Sequence, residues 1–259
     1  MQIYVPFAFE TPHKNLEFQA LYGDYIYANA PWIESDGYVD FVLSRSERMQ
    51  IYLDNGAYEN HESVSVKEYL SIIEALRPNV VVVPDVIGNR PATIRRVKEF
   101  FNAGPPSGPG APKYMIVPQG GSNDEWVTCF HTLLRMYRHD FHLVGLPRKM
   151  YPSRLILARH VYNLSKKPLH LLGCVDPSEI AGILASNTPI ASVDTSWPAR
   201  KALGKTGPKD RIDFENDELD QDAFEAALMT FYDKIGLGSF RQMKPKEAEN
   251  ILVTHQEED

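Results

Sequence analysis

Three aspartates stand directly after short apolar runs: Asp54 after Met49 to Leu53, Asp85 after Val80 to Pro84, and Asp194 after Pro189 to Val193. An ionised carboxylate can attack an electrophilic carbon, carry a proton between reacting groups, or accept hydrogen bonds from the amino edge of a base. As mere scaffolding, three such groups at one place are unfavourable, because like charges crowded away from water repel. Their convergence requires parallel strands, each followed by a helix, since the C-terminal ends of such strands share one rim, where the loops of a (β/α)8 barrel build a site.

The chain supplies the elements for that arrangement. Apolar, β-branched runs recur eight times, at Ile3 to Phe9, Tyr25 to Asn29, Met49 to Leu53, Val80 to Pro84, Tyr114 to Pro118, Phe141 to Gly145, Leu169 to Gly173 and Pro189 to Val193. The segments between most of them are long enough for the crossover helix that parallel strands need. Val66, Tyr69, Leu70, Ile73 and Leu76 repeat with a helical period that Pro78 stops, and Ile94 to Phe101 reads likewise. Asp176-Pro177 opens another helix as N-cap and first residue. Tyr38 to Arg45 is expected as a helix, and Gly104 to Pro112 as an exposed loop at the bottom of the barrel. The expected organisation is a single-domain α/β (β/α)8 TIM barrel over residues 1–211. An acidic helical extension, 212–259, packs on it through an amphipathic helix from Asp220 to Ile235 and a last helix from Lys244 to Val253.

At 259 residues the chain suits one barrel, and 43% hydrophobic with 24% charged residues is ordinary for a folded soluble protein. The start of the chain shows neither a signal peptide nor a spanning segment, so a cytoplasmic location is expected, with no membrane partner. Cys129 and Cys174 form no metal-binding or disulfide pattern. His139 and His142 lack a third ligand at useful spacing, and His170, inside a strand, reads as a packed or helix-facing residue. No metal and no cofactor is expected. The net charge of −7 hides an asymmetry: residues 90–211 carry 18 Lys and Arg against 8 Asp and Glu, leaving 9 against 26 elsewhere. Arg148, Lys149 and Arg200, with Lys201 beside it, follow strand ends and so face the mouth, as a nucleic-acid partner would require. Trp197 is placed either to stack on a nucleobase or to wall the pocket.

The strand ends in order read Asp54-Asn55-Gly56-Ala57-Tyr58-Glu59, Pro84-Asp85-Val86-Ile87-Gly88, Pro118-Gln119-Gly120-Gly121, Val144-Gly145-Leu146-Pro147, Leu171-Leu172-Gly173-Cys174 and Asp194-Thr195-Ser196-Trp197-Pro198-Ala199-Arg200. From about Leu53 to Arg200 this set resembles the tRNA-guanine transglycosylase superfamily. Each box is weak alone; the order across six strand ends is the specific part. The resemblance implies that Asp194 attacks the sugar C1′ to give a covalent glycosyl enzyme and that Asp54 is the general acid and base. It further implies that Asp85 accepts from the guanine N1–H and amino group, that Gln119 and the Gly145 backbone read O6, and that Gly120 and Asn55 belong to the same base site. Tyr58 and Leu172 would sandwich the flipped ring, and Arg200 would hold a phosphate.

Departures narrow what is implied. The family's zinc site of three cysteines and a histidine has no counterpart, since only His255 follows Cys174 among such ligands. The acid and cysteine that follow the base-reading Asp in bacterial enzymes are Val86 and Ile87 here, which leaves the accepted deazaguanine open. A short, zinc-free barrel is similar to the branch that inserts 7-deazaguanine bases into DNA in phages and bacterial DNA-modification clusters. The expected activity is exchange of guanine for a base such as preQ0 in DNA, with an accessory protein or homodimer as possible partner. The alternatives are the tRNA enzyme, a silent partner subunit and a barrel glycoside hydrolase using Asp54 and Asp194.

Overall fold

In the computed structural model, which describes residues 5–35, 37–60, 63–148, 154–174, 176–186, 188–207 and 210–237, all eight runs form one parallel sheet. The strands are β1 (Phe7–Phe9), β2 (Tyr25–Asn29), β3 (Gln50–Asp54), β4 (Val80–Val82), β5 (Lys113–Ile116), β6 (Leu143–Leu146), β7 (Leu169–Leu171) and β8 (Ile190–Thr195), in the spatial order β1-β8-β7-β6-β5-β4-β3-β2. β1 and β2 end the ladder, and Asp24 bridges them: its carboxylate accepts the Phe7 N–H at 2.8 Å and its own N–H donates to the Phe7 carbonyl at 2.7 Å. The result is a nearly closed (β/α)8 barrel.

Helices alternate with the strands as α1 (Leu16–Tyr22), α2 (Tyr38–Arg45), α3 (Ala57–Asn60), α4 (Val66–Leu76), α5 (Arg90–Asn102), α6 (Asn123–Tyr137), α7 (Arg154–Ser165), α8 (Pro177–Ala185), α9 (Trp197–Ala202) and α10 (Gln221–Lys234). The helix expected at Tyr38 to Arg45 is there, and the loop from Gly104 to Pro112 is largely exposed between α5 and β5. α4 starts where Ser65 accepts the Glu68 N–H at 3.2 Å. α10 closes the helical layer over β1, with Phe231 edge-on to Phe7 and Phe9 at 5.6 and 5.9 Å. The helix expected at Lys244 to Val253 lies outside the described residues. No described helix is long and apolar enough to cross a membrane.

The period of two along each strand divides the core. Phe7, Phe9, Ile26, Ile51, Leu53, Val81 and Val193 pack outward against the helices, whereas Ala8, Tyr25, Tyr27, Tyr52, Val82, Met115 and Val117 fill the barrel. Continuing the inward register past the apolar layer brings polar groups to the C-terminal rim: Glu10 after Ala8, Asp54 after Tyr52, Gln119 after Val117, and Asp194 after Ser192.

Two buried side chains fix that rim. The Tyr69 hydroxyl of α4 lies within hydrogen-bond distance of the Leu53 and Val82 carbonyls, 2.9 and 3.0 Å, and so ties the ends of β3 and β4. Arg154, wholly buried at the start of α7, donates to the carbonyls of Leu146 (3.1 Å) and Leu172 (2.6 Å) and forks onto Glu179 of α8, with Nε 2.8 Å from Oε1. The second guanidinium arm reaches the other Glu179 oxygen and Cys174 Sγ. Breaking a buried pair by removing one partner strands the other charge, so Arg154→Met is expected to cost about 3–5 kcal/mol in urea unfolding, and R154M/E179L to recover most of it. A loss below about 1 kcal/mol for R154M would show that the pair does not hold the rim.

Candidate active site

The rim encloses a cavity of about 450 Å³ at the C-terminal end of the barrel, within the size range of small-molecule sites. Asp54, Asp85 and Asp194 all line it, each delivered by a different strand. So do Gln119, Leu172, Tyr58 and Asn55 from the base-binding set, and Arg148 and Arg200 from the basic set.

The three aspartates are held differently. Asp54 is partly open to the cavity; Tyr27 donates its hydroxyl to Oδ1 and Gly56 its N–H to Oδ2, both at 3.1 Å. Burial first, then the Glu59 and Asp85 carboxyls, push it up to about 8 against those donors. Asp85 is deeper, with Asn55 Nδ2 at 2.8 Å on Oδ1 and Gln119 Nε2 at 2.6 Å on Oδ2. Burial pushes it up to about 6, opposed by the two amides. Asp194, only 2% exposed, accepts the Gly173 N–H at 2.8 Å on Oδ2 and faces His170 Nε2 at 2.9 Å on Oδ1.

Several expected residues take other roles. Asn55 commits both amide hydrogens, to Asp85 and to the Val83 carbonyl at 3.1 Å, while its Oδ1 accepts the Ala57 N–H at 2.8 Å. It orients Asp85 and has no hydrogen left for a base. Gly145 and Gly120 are absent from the cavity lining. A side chain at Gly145 would meet Leu172 Cδ1 and Val117 Cγ2 at 2.8 Å, so its smallness lets those two wall the cavity. At Gly120 a Cβ would come within 2.5 Å of the Trp126 backbone nitrogen, so that glycine admits the start of α6. Trp197 neither stacks in the pocket nor walls it: its indole packs on Phe231 of α10 at 5.9 Å, in the outer layer. Lys201 is exposed on α9, one position past Arg200 and away from the lining, because successive helical residues point about 100° apart. Lys149 lies outside the described residues. His170 is not helix-facing; it points into the barrel at Asp194.

The structure adds residues that the strand-end motifs do not contain. Glu10, after β1, lines the cavity and is raised well above the usual carboxylate range, first by burial and then by Asp194, Glu59 and Asp54. Tyr27 and Asn29 of β2 are also in the wall. Both follow from the inward register of their strands. Arg211, Ile212 and Phe214 cover the mouth from the segment between α9 and α10, and the Arg211 guanidinium stands 5.5 Å over the ring of Tyr58, itself 50% exposed. Among the described residues no three His, Cys, Asp or Glu are grouped to hold a metal ion.

No protein-family profile matches the chain. No curated protein matches it in sequence. Solved structures similar to it include KGPDC from Streptococcus mutans, at 10% identity over 90% of this chain and 98% of that one, TM-score 0.49. Orotidine 5′-monophosphate decarboxylase from Methanocaldococcus jannaschii complexed with inhibitor BMP gives 10% identity over 88% and 98%, TM-score 0.49. The glycerol uptake operon antiterminator regulatory protein from Listeria monocytogenes gives 12% over 74% and 90%, TM-score 0.43.

A carboxyl whose proton is held more tightly in the folded than in the unfolded chain stabilises the fold fully at low pH, and that contribution disappears as pH rises to the folded value. For Asp54 the loss runs from about 4 in the unfolded chain to about 8 in the fold. Asp54→Asn abolishes this titration, so the melting temperature of D54N minus that of wild type is expected to rise between pH 4 and pH 8 and then level off. A difference independent of pH would contradict the protonated Asp54.

Proposed function

We propose that the protein is a DNA guanine transglycosylase that exchanges guanine for a 7-deazaguanine base such as preQ0. The observation that carries this reading is that Asp54, Asp85, Gln119, Leu172 and Asp194, members of one ordered motif set on five strand ends, line a single cavity. Crowded carboxyls in different proton states are the arrangement that lets one act as acid while another acts as nucleophile.

In the first half of the reaction, an Asp194 oxygen attacks C1′ of the flipped deoxyguanosine. The C1′–N9 bond breaks, its electron pair leaves with guanine, and Asp54 gives its proton to the departing base. In the second half, the incoming 7-deazaguanine loses its ring proton to Asp54 and attacks C1′ at the nitrogen so exposed. The bond to Asp194 then breaks, returning its electron pair to the carboxylate. Two inversions give net retention. Asp85, steadied by Asn55, accepts from the N1–H and amino group, with Gln119 beside it. Leu172 and Tyr58 offer the apolar and aromatic surfaces for the ring. Arg148, Arg200 and Arg211 on the rim supply positive charge for backbone phosphates.

Labelled guanine offered with duplex DNA, single-stranded DNA and tRNA tests the reading. Wild type is expected to label DNA and, with a deazaguanine analogue, to leave a protein–DNA adduct that survives denaturation. Asp194→Ala is expected to lose the adduct and about 10⁴-fold in exchange. Exchange by D194A within tenfold of wild type would defeat the assignment, labelling of tRNA alone would shift it to the tRNA enzyme, and release of guanine without exchange would make it a hydrolase. Single-turnover adduct formation is expected to be bell-shaped, rising through about 6 as Asp85 ionises and falling through about 8 as Asp54 loses its proton. A rate flat from pH 5 to 9 would contradict these roles.

A further inference from the structure

His170 stands on β7 two residues before Leu172, wholly buried, with its ring inside the barrel below the cavity. Nδ1 is 2.8 Å from Ser192 Oγ and Nε2 is 2.9 Å from Asp194 Oδ1. With Asp194 as a carboxylate, which can only accept, and the imidazole neutral, Nε2 carries the proton that Asp194 accepts and Nδ1 accepts from the Ser192 hydroxyl. The imidazole also lies parallel to the Tyr27 ring, 5.7 Å between centroids and 3° between planes, and Tyr27 is the residue whose hydroxyl donates to Asp54. One stacked pair thus connects the two carboxyls that divide the chemistry.

Resting on the base-exchange reading, we propose that His170 is the positioning residue of the nucleophile, its Nε2–H turned to Asp194 and its ring held in that orientation by Ser192. Its N–H on Oδ1 and the Gly173 N–H on Oδ2 fix the plane of the Asp194 carboxylate, so that its remaining lone pairs face the cavity. When the bond between C1′ and Asp194 breaks, the electron pair returns to a carboxylate whose two donors are already in place, and no solvent has to reorganise around it. His170 keeps its proton throughout; proton transfer to and from the bases belongs to Asp54. A histidine that only filled space would not need Ser192 on one nitrogen and the nucleophile on the other.

The test compares three variants in the base-exchange assay. H170F keeps an aromatic ring against Tyr27 and removes both bonds, H170Q can return an amide N–H toward Asp194, and S192A leaves Nδ1 without its hydroxyl partner. Loss of one preorganised donor slows such steps about 10²- to 10³-fold. H170F is therefore expected to slow breakdown of the covalent adduct by about that factor with KM for the base within about threefold, because His170 touches Asp194 and not the base. H170Q is expected to recover at least about tenfold, with S192A in between. Spectra of the 15N-histidine-labelled wild type are expected to show His170 with the proton on Nε2, and those of S192A the same tautomer with the Nδ1 resonance moved by loss of its hydrogen bond. If H170F does not fold, H170Q and S192A against wild type decide the question with the spectra. Normal adduct turnover in H170F, no recovery in H170Q, or a proton on Nδ1 in wild type would overturn the inference while base exchange stands. A wild type that exchanges base in no nucleic acid would overturn the base-exchange reading, and this inference with it.

Discussion

The structure is organised around a surplus of buried carboxyls at one end of a barrel. Glu10, Asp54, Asp85 and Asp194 reach the same cavity from four strand ends, with Glu59 beside Asp54. In so enclosed a place the charges cannot all persist, because each raises the cost of ionising the next. The fold resolves this by giving the acids unequal company. Asp85 and Asp194 each receive two nitrogen donors, whereas Asp54 has one phenol and one amide and two acidic neighbours. In the proposed reaction, that unequal solvation by the protein separates the proton carrier from the hydrogen-bond acceptor and from the nucleophile.

The donors work only if the strand ends stay in register. Tyr69 ties β3 to β4 from outside, and Arg154 ties β6 to β7 while its charge is answered by Glu179. Tyr69 and Arg154 themselves lie behind the site, outside the lining, and hold it through the carbonyls of Val82 and Leu172, which do line the cavity. They turn a generic apolar barrel into one whose mouth has a defined shape, which is the difference between carboxyls that are merely close and carboxyls that are preorganised.

Much of the barrel was legible in the sequence because β-branched runs mark parallel strands and proline and capping residues mark helix ends; α4 and α8 fall where their periods and caps put them. The acids were legible for the same reason, as polar residues directly after apolar runs. The motif order alone did not say which neighbouring residues share the interior. Reading back by two from Leu172 gives His170, and forward by two from Ala8 gives Glu10, so the alternation of the strands contained that signal. It also turns Gly145 inward with Leu143, where the missing side chain leaves room for Leu172 and Val117. Trp197 misled because a large aromatic beside a strand-end aspartate suits either side of a helix start, and only the position of α10 and Phe231 decides between them. Arg211 over Tyr58 was not legible at all: it joins segments more than a hundred residues apart through a loop with no periodicity.

The central claim is that this mouth exchanges a purine on DNA. It is tested most directly by nucleoside mass spectrometry of DNA and tRNA from cells that express the protein together with a supply of preQ0. Base exchange through Asp194 requires a 7-deazaguanine deoxynucleoside in the DNA that is absent when Asp194 is replaced by Ala. DNA and tRNA free of any deazaguanine introduced by the protein, with the protein folded and the base present, would contradict it.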